Sequence, residues 1–309
     1  MSGPGTELAE IVEGLRRPEK SISPKYFYDE RGSQLFDAIT HLPEYYPTET
    51  ELGIMRDNMA ELAELVGPQA SLIEYGSGSS RKTRTLLDSL DRLAVYVPVD
   101  ISADHLLESA DTIRSEFPGL EVLPVVADFT RPFALPSPSI MPLRNIIYFP
   151  GSTIGNFTPQ AAQELLEVMY GEAGEGGALL IGVDLQKDAG VIERAYNDSA
   201  GITAEFNLNM LIHLNREFGF DFDLDTYSHS ARYDTDEGRV EIRLTSSKDQ
   251  TITTGDEEIS IAAGEAILTE YSHKYTLDSF ATMAHHAGFR VKKVWLDSEL
   301  LFSVQYCVR

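Results

Sequence analysis

One cysteine, Cys307, occurs among the 309 residues of this chain, so no disulfide can form within it. It lies in an apolar, strand-like run near the end of the chain, where we expect a buried structural thiol. The chain also lacks an apolar run of about 18 residues, the length that crosses a bilayer, and it shows no apolar stretch behind a basic start. These absences argue against a disulfide-stapled secreted domain and predict a cytoplasmic protein.

Basic residues are scarce, since 25 Lys and Arg face 49 Asp and Glu and give a net charge of −24. Such a chain repels nucleic-acid phosphates and anionic membranes unless it carries a local basic patch. The densest basic group, Arg290 with Lys292 and Lys293, is too small to form one. We therefore predict a small-molecule substrate, with no nucleic-acid or membrane partner, and we expect a monomer.

Hydrophobic residues make up 42% of the chain, which is enough for a sizeable core. Short apolar runs rich in β-branched residues alternate with helix-like stretches. The runs are 71–75, 94–99, 121–126, 145–149 and 178–183, and the helix-like stretches between them include 81–93, Ala103–Glu116 and 159–172. This alternation predicts a parallel sheet with helices on both faces, and the continuous apolarity of the strands agrees with burial on both faces.

Residues 186–275 interrupt this rhythm. The segment 185–220 appears helical by pattern, and antiparallel strands are expected at 227–233, 240–245 and 259–261. A helix at 277–287 and a terminal hairpin of 291–296 and 301–308 then follow. Five parallel strands, a helix and a terminal hairpin are typical of the Rossmann-like, seven-stranded α/β sheet of class I methyltransferases.

The pattern therefore predicts two domains. Residues 50–185 plus 276–309 would form the S-adenosylmethionine (SAM) methyltransferase domain, and residues 1–49 plus 186–275 a second, α+β domain. A helix expected at 49–66 separates the N-terminal segment from the first strand of the sheet.

In an open parallel sheet, ligands bind beyond the carboxyl ends of the strands. The first strand is followed by Gly76 and Gly78, which allow a tight turn and a close approach of the backbone to a ligand. Alone, this G-x-G pattern also suits a simple turn. Lys82 follows, either as a solvated lysine or as a cation beside the carboxylate of the cofactor.

Polar groups follow the other strands as well. Asp100 stands after the second strand, where a carboxylate can accept both ribose hydroxyls; it could instead cap the next helix, although Ser102 could do so in its place. After the third strand, Asp128 can accept from an adenine amino group and Phe129 can cover the base. The GSTIGN segment (151–156) follows the fourth strand. Four suitable strand ends together favour a nucleotide-type cofactor.

Two other classes of protein compete with a methyltransferase. An NAD-dependent oxidoreductase would normally have a third glycine where Arg81 stands, and Glu74 and the terminal hairpin favour SAM instead. A non-catalytic binding protein would have lost its cofactor positions, whereas here they are all filled with suitable groups.

Several long motifs occur together in this chain. They are PKYFYD (24–29), GS (32–33), LPEYYPT (42–48), GSG (76–78), KTR (82–84), GSTIGN (151–156), AY (195–196), GIT (201–203), FN (206–207) and TEYS (269–272). With these motifs, the chain resembles the ergothioneine-pathway L-histidine Nα-methyltransferase family along nearly its whole length. The resemblance implies that the second domain, residues 1–49 plus 186–275, binds the substrate. It also implies three methyl transfers to the α-amine of histidine, which yield hercynine, with SAM as co-substrate and no metal.

The resemblance also implies roles for individual residues. The expected cofactor contacts are Gly76, Lys82, Asp100, Asp128 and Phe129. The expected contacts of the amino acid are Tyr45, Asn156, Tyr196, Glu270, Tyr271 and Ser272. Tyr28 is expected near the amine, where it would position the amine or relay a proton.

These roles are chemically reasonable. Glu270 and Ser272 face the same way on an extended segment, and together a carboxylate and a hydroxyl satisfy either protonation state of an imidazole. A surface strand with alternating polar residues is the simpler alternative. The rings of Tyr28 and Tyr45 could surround a trimethylammonium group, or the two residues could belong to an ordinary hydrophobic core.

Substrate selectivity depends on one departure from the family pattern. Ile242 stands where family members have methionine. It could keep the wall of the pocket, or it could reshape the pocket toward another aromatic amino acid such as a tryptophan derivative. Glu270 and Ser272 favour histidine, because an indole offers only a donor.

Overall fold

The structure, a computed structural model, describes residues 4–77, 81–90 and 92–309. Two compact units divide the chain: unit 1 comprises Met1–Tyr46 and Lys187–His273, and unit 2 comprises Pro47–Gln186 and Lys274–Arg309. The sequence predicted breaks after residues 49, 185 and 275, close to the observed breaks after residues 46, 186 and 273. Within the described ranges, no helix is long and apolar enough to cross a membrane.

Helices and strands alternate along much of the chain. The helices are α1 (Pro4–Arg16), α2 (Glu30–Ile39), α3 (Tyr46–Asp57), α4 (Met59–Val66), α5 (Arg81–Leu87), α6 (Ala103–Glu116), α7 (Pro159–Ala173), α8 (Ala189–Tyr196), α9 (Ile202–Phe218) and α10 (Leu277–His286). The strands are β1 (Ala70–Tyr75), β2 (Val95–Asp100), β3 (Val125–Val126), β4 (Arg144–Phe149), β5 (Ala178–Asp184), β6 (Tyr227–Asp234), β7 (Arg239–Ser246), β8 (Gln250–Thr254), β9 (Glu257–Ile261), β10 (Ala266–His273), β11 (Arg290–Leu296) and β12 (Phe302–Val308).

Unit 2 contains a seven-stranded sheet in the order β11-β12-β5-β4-β1-β2-β3. Strands β1 to β5 pair in parallel, and the hairpin β11–β12 joins β5 in the antiparallel sense. This arrangement confirms the predicted α/β methyltransferase sheet. The third strand is shorter than the predicted 121–126, because Pro124 has no N–H to donate to the ladder and regular pairing with β2 resumes at Val125.

Both faces of this sheet are covered, as the apolar strands predicted. Along β1, the side chain of Leu72 packs into one core cluster with Tyr148 of β4. The next residue, Ile73, packs into a second cluster with Ile147 and with Phe280 of α10. The alternation follows from the period of two residues in a strand. Because β1 to β4 pair in parallel, their carboxyl ends lie at one edge of the sheet.

A buried ion pair lies where β5 ends. The ammonium group of Lys274 is 2.7 Å from the carboxylate of Asp184, and each side chain is 1% exposed. The backbone nearby is paired as well, since the N–H of Tyr275 donates to the carbonyl of Asp184 at 3.0 Å and the N–H of Asp184 donates to Ser152 Oγ at 2.9 Å. This pair therefore closes the end of β5 next to the turn that follows β4.

Unit 1 is built on the three-stranded antiparallel sheet β10-β7-β6, with the hairpin β8–β9 beside it in the chain. The central strand β7 alternates strictly between buried and half-buried residues. Residues from the N-terminal segment and from residues 187–273 share one core. This core includes Leu15, Phe27, Leu35, Phe206, Leu214 and Leu244.

Two of the predicted helices are interrupted. Instead of one helix over 185–220, α8 and α9 are separated by a turn at which Gly201 has φ of +75° and the carboxylate of Asp198 accepts the N–H groups of Ile202 and Thr203. The expected helix at 49–66 is likewise split, into α3 and α4. The capping turn at Asp198 explains the first break. At the second, the side chain of Asn58 donates to the carbonyl of Ile54 at 2.8 Å, and such local hydrogen bonds compete with helix continuation.

Candidate active site

The turn after β1 brings three strand ends together. Gly76 has φ of +72°, and its N–H donates to the carbonyl of Val99 at 2.9 Å. A Cβ added at Gly76 would lie 3.8 Å from the ring of Phe129, so the glycine leaves bare backbone beside an aromatic surface. The second glycine of the motif, Gly78, lies outside the described residues.

Two carboxylates stand at the next strand ends. Asp100 Oδ1 accepts the N–H of Ser102 at 2.9 Å, and burial raises the pKa of Asp100 above its ordinary value. Asp128 Oδ1 accepts from the N–H and the hydroxyl of Thr130 at 3.0 and 2.6 Å. Each carboxylate is thus oriented by its own loop.

The expected capping of α6 by Ser102 is not found. Ser102 occupies the N-cap position, but its side chain makes no capping hydrogen bond. The carboxylate of Asp100 instead accepts the N–H of this residue. Asp100 therefore stabilises the turn that leads into α6. This role in the turn is compatible with the predicted contact between Asp100 and the ribose hydroxyls.

Phe129 lies in an aromatic cluster at the same edge. Its ring centroid is 5.3 Å from that of Tyr75 and 5.9 Å from that of Phe149. Such rings offer a flat apolar surface that can cover a nucleobase. The structure therefore brings Gly76 and Phe129 together at the carboxyl ends of the strands.

Lys82 is not a solvated lysine. Its ammonium group is 2.5 Å from the carboxylate of Glu51, and the two side chains are 14% and 1% exposed. The oxygens of Glu51 also accept the N–H of Gly151 at 2.9 and 3.2 Å. Glu51 thereby links the helix after β1 to the turn after β4. Glu51 was not predicted as part of this site. Its signal in the sequence is Gly182, since a glycine inside a strand marks the close approach of another group.

Gly182 makes room for this carboxylate. A Cβ at Gly182 would lie 2.1 Å from Glu51 Oε1 and 3.1 Å from the ring of Phe302. We expect Gly182→Ala to lower the free energy of unfolding by about 2 kcal/mol, as overpacking does in a tight core, in urea unfolding followed by circular dichroism. Gly171→Ala in α7 is the matched control, because a Cβ there has nothing within 4 Å; an equal loss in both variants would contradict the close approach.

A buried acid lies beneath the glycine turn. The hydroxyl of Thr83 donates to both oxygens of Glu74 at 2.7 and 2.8 Å, and the hydroxyl of Tyr96 donates to the same carboxyl group. Burial raises the pKa of Glu74 to about 7. The folded protein therefore holds a proton on Glu74 at mildly acidic pH, where the unfolded chain would release it.

This proton makes stability depend on pH. Because the pKa of Glu74 is higher in the folded state, its favourable contribution is present below the unfolded pKa and is lost as the pH rises to about 7. From pH 5 to 8 we expect the wild type to lose about 2 kcal/mol more unfolding free energy than Glu74→Gln, which keeps an acceptor but does not titrate. Urea unfolding without added cofactor measures both proteins, and parallel pH profiles would contradict the assignment.

The residues expected to bind an imidazole lie on one face of the sheet of unit 1. In β10, Glu270 pairs with Ile242 and Ser272 pairs with Val240 of β7. Ile242 and Val240 are both on the buried face of β7, so Glu270 and Ser272 share that face. The hydroxyl of Tyr196 is 2.8 Å from that of Ser272.

Tyr271 is turned to the opposite face. It pairs with Glu241, and the guanidinium group of Arg239 lies 4.1 Å from its ring centroid. Arg239 and Arg243 both donate to the carboxylate of Glu241, at 2.9 and 2.7 Å. The structure therefore does not bring Tyr271 together with Glu270 and Ser272, because consecutive residues of a strand point to opposite faces.

A series of aromatic contacts links the tyrosines expected around the amine. Tyr45 contacts Tyr196 at 6.2 Å and Phe36 at 6.5 Å between ring centroids, and Phe36 contacts Tyr28 at 5.8 Å. Tyr28 is 42% exposed. Phe36 was not predicted here, because a phenylalanine in an amphipathic helix such as α2 has the pattern of an ordinary core residue.

Asn156, the expected contact of the amino acid that follows β4, belongs to unit 2. It ends a short 3-10 turn, Thr153–Asn156, directly after two left-handed residues, Gly151 at φ of +80° and Ser152 at +56°. Ser152 Oγ accepts the N–H of Asp184. The turn that carries Asn156 is therefore tied to the ends of β4 and β5.

The groups at this edge of unit 2 suit S-adenosylmethionine. A carboxylate after β2 can accept from the ribose hydroxyls, and Asp128 with Phe129 can accept from and cover the adenine. The observation that supports a fit between this edge and SAM is the bare backbone of Gly76 beside the Phe129 ring. Fold and site together define a class I SAM-dependent methyltransferase.

More specifically, the chain belongs to the family of SAM-dependent, histidine-specific methyltransferases, whose sequence model matches residues 7–309. Histidine N-alpha-methyltransferase of Mycolicibacterium smegmatis is 40% identical over 306 residues, which cover 97% of this chain and 94% of that protein. The protein of the same name from Mycobacterium tuberculosis is 40% identical over 294 residues, covering 93% and 90%. Ergothioneine biosynthesis protein 1 of Neurospora crassa is 32% identical over 298 residues, covering 94% of this chain and 33% of that longer protein.

Family and enzyme class, both predicted from the sequence, are thus confirmed. Membership in a methyltransferase family over nearly the whole chain leaves no support for the NAD-dependent oxidoreductase or the non-catalytic binding protein.

Proposed function

We propose that this enzyme transfers three methyl groups in succession from SAM to the α-amine of L-histidine, yielding Nα,Nα,Nα-trimethyl-L-histidine (hercynine), as a step of ergothioneine synthesis. The proposal that histidine is the substrate rests on the placement of Glu270 and Ser272 on one face of β10. The hydroxyl of Tyr196 lies 2.8 Å from that of Ser272. Two histidine N-alpha-methyltransferases at 40% identity support the same reaction.

Glu270 and Ser272 are the proposed partners of the imidazole ring. A neutral imidazole offers one donor and one acceptor, and a charged ring offers two donors. The Glu270 carboxylate accepts from one ring nitrogen, while the Ser272 hydroxyl accepts from or donates to the other. An indole has no ring acceptor, so a tryptophan derivative would leave this second position unsatisfied.

Ile242 does not argue against histidine. It lies directly across from Glu270 in the sheet and packs in one cluster with Val240 and Tyr196. Its side chain is buried. An isoleucine, similar in volume to methionine, therefore fills the buried position opposite Glu270 and is compatible with histidine as the substrate.

The remaining proposed contacts hold the amino-acid end. Asn156 donates to the substrate carboxylate, and Tyr196 does so when Ser272 donates to the Tyr196 hydroxyl and accepts from the ring. When Ser272 donates to the ring, Tyr196 donates to Ser272 instead, because each hydroxyl carries one hydrogen. Tyr28 and Tyr45 present aromatic faces to the amine, which attract the ammonium group that forms as methyl groups are added. The proposed cofactor contacts are Gly76, Lys82, Asp100, Asp128 and Phe129, and unit 1 is the proposed substrate-binding domain.

SAM supplies an electrophilic methyl carbon on its sulfonium sulfur. The residues of this chain contribute mainly alignment, because holding an amine in line with a methyl group removes several kcal/mol of the barrier. The amine must also lose a proton before each transfer. Tyr28 is 42% exposed, so water reaches the side chain that would stand beside the amine.

Because water has this access, we expect Tyr28 to position the amine and not to act as an obligatory base. Tyr28→Phe should raise KM for histidine about threefold and leave the shape of the pH profile of kcat unchanged, since it removes about 0.7 kcal/mol of hydrogen bonding. Steady-state kinetics from pH 6 to 10 measures both quantities. A kcat profile that loses its rise with pH would assign a proton-transfer role to Tyr28.

Mass spectrometry of reactions with SAM and a panel of amino acids tests the proposed function. We expect histidine to gain one, two and three methyl groups in succession, and tryptophan and tyrosine to stay unmodified. Methylation of tryptophan in place of histidine would establish the related aromatic amino-acid activity instead. SAM binding without methylation of any amino acid would contradict both.

Three accompanying properties belong to the proposal. The enzyme needs no metal, so activity should survive dialysis against EDTA. It acts as a monomer, which light scattering should report as one chain of 34.3 kDa. It works in the cytoplasm on a small molecule, without a nucleic-acid or membrane partner, which sedimentation with DNA or with anionic vesicles can test.

A further inference from the structure

Whether the hydroxyl of Tyr196 can contact Ser272 across the sheet depends on the position of the Tyr196 backbone. Tyr196 is the last residue of α8, and its hydroxyl lies 2.8 Å from Ser272 on β10. In the sheet order β10-β7-β6, the helix packs against β6 and the side chain crosses β7, where it contacts the cluster of Val240 and Ile242. A small shift of α8 along β6 would therefore withdraw the hydroxyl from Ser272.

His229, on β6, contacts the backbone of Tyr196. Its Nε2 is 2.9 Å from the carbonyl oxygen of Tyr196, and its Nδ1 is 2.9 Å from Nδ2 of Asn207. Nδ2 of Asn207 is also 3.2 Å from the carbonyl oxygen of Arg243. Carbonyl oxygens only accept, so the Asn207 amide nitrogen must face Arg243 and Nε2 of His229 must carry the proton.

The directions of these hydrogen bonds form one consistent chain. Asn207 donates to Arg243 and to Nδ1 of His229, and Nε2–H of His229 donates to the carbonyl of Tyr196. This chain requires a neutral ring. Burial agrees with it, because it lowers the pKa of His229 below the ordinary value. The carbonyl at the C-terminal end of α8 thus accepts from a defined donor.

Asn197, the next residue, ties the same helix end to β6. Its Nδ2 donates to the carbonyl of Ala231 at 2.9 Å, and its Oδ1 accepts the N–H of Ala231 at 3.2 Å. Two consecutive residues at the end of α8 are therefore bound to strand β6, one by its carbonyl and one by its side chain.

We propose that His229 is a positioning residue for substrate recognition: by donating to the Tyr196 carbonyl it holds the end of α8 in register with β6, which keeps the Tyr196 hydroxyl on Ser272. The inference rests on the proposed function, in which Tyr196 and Ser272 contact the amino acid. His229 itself touches neither substrate nor cofactor in this scheme.

Two substitutions of His229 separate its two hydrogen bonds. The amide of His229→Asn reaches the position of Nδ1 and can contact Asn207, but it falls short of the Tyr196 carbonyl. The amide of His229→Gln reaches the position of Nε2 and can donate to that carbonyl. We expect KM for histidine to rise about tenfold in His229→Asn and less than about threefold in His229→Gln, with Kd for SAM unchanged in both.

Combination with Tyr196→Phe tests whether the effect passes through Tyr196. Residues that act through one contact give non-additive effects, so His229→Asn/Tyr196→Phe should have the KM of Tyr196→Phe alone. Multiplied effects on KM, or a wild-type KM in His229→Asn, would overturn the positioning role. A wild-type KM in Tyr196→Phe would instead overturn the proposed substrate contact.

A measurement on the wild type keeps the inference testable even if a variant does not fold. Nitrogen NMR of the ring of His229, in protein labelled with 15N-histidine, should show a neutral ring protonated at Nε2 at pH 7. A neutral ring protonated at Nδ1 would remove the donor to Tyr196 and overturn the inference.

Discussion

Replacing Glu270 with alanine is expected to raise KM for histidine about 100-fold while Kd for SAM stays within about twofold. The carboxylate is the proposed acceptor for an imidazole N–H, and a hydrogen bond to a charged group contributes about 1.5–3 kcal/mol. Its removal also leaves the ring nitrogen without a partner inside the protein. Steady-state kinetics gives KM, and isothermal titration calorimetry gives the Kd for SAM.

Glu258→Ala provides the matched control for this variant. Glu258 is an exposed residue of β9 in the same unit, so the change in net charge is identical and no effect on histidine binding is expected. A similar loss of affinity for histidine and for SAM in Glu270→Ala would show a general disturbance of the enzyme and would contradict the proposed role.

Replacing Lys274 with methionine is expected to lower the free energy of unfolding by about 3–5 kcal/mol, because it leaves the carboxylate of Asp184 buried without its cation. Both side chains are 1% exposed at a separation of 2.7 Å, so water cannot replace the lost charge. Unfolding in urea, followed by circular dichroism, measures the loss. The double variant Asp184→Asn/Lys274→Met should recover more than half of it, since no buried charge is left.

Lys293→Met is the control for burial. Lys293 lies 2.7 Å from Glu61 in the same unit, but its side chain is 39% exposed, and exposed ion pairs contribute less than about 1 kcal/mol. Equal losses in Lys274→Met and Lys293→Met would contradict the argument that burial decides the effect.

Much of the fold of unit 2 was predictable because its signals are local. The strand predicted at 145–149 differs from β4 by one residue, and α6 was predicted with the observed bounds, Ala103–Glu116. Continuous apolar strands and amphipathic helices carry their own pattern. The third strand was overestimated, because pairing at an edge depends on backbone donors, which Pro124 lacks.

Residues of the candidate site were predictable where a polar or aromatic side chain follows the end of a strand. They were not predictable where the site depends on packing between distant segments. Gly76, Asp100 and Phe129 could be found from the order of strands alone. Glu51 is signalled only indirectly, by the glycine at position 182 that leaves room for it. His229 has no such signal, because its partner, the Tyr196 carbonyl, is a backbone atom distant in sequence. A contact between a side chain and a backbone atom leaves no motif in the sequence.

Tyr271 shows the limit of extending a role along a motif. It stands between Glu270 and Ser272 in sequence, yet its ring is covered by Arg239 on the other face of the sheet. The period of two residues in a strand, used for Glu270 and Ser272, already argues against placing the middle residue beside them.

The contacts that α8 makes with β6 also bear on how this protein avoids aggregation. Strand β6 is an edge of its sheet, and exposed edges are templates onto which strands of other molecules can add. Asn197 engages the N–H and carbonyl of Ala231, and the carboxylate of Glu193 accepts the N–H of Tyr233 two residues further on. The side chains of α8 thus occupy the backbone positions that a foreign strand would need, so the helix that presents Tyr196 also blocks intermolecular β-pairing along this edge.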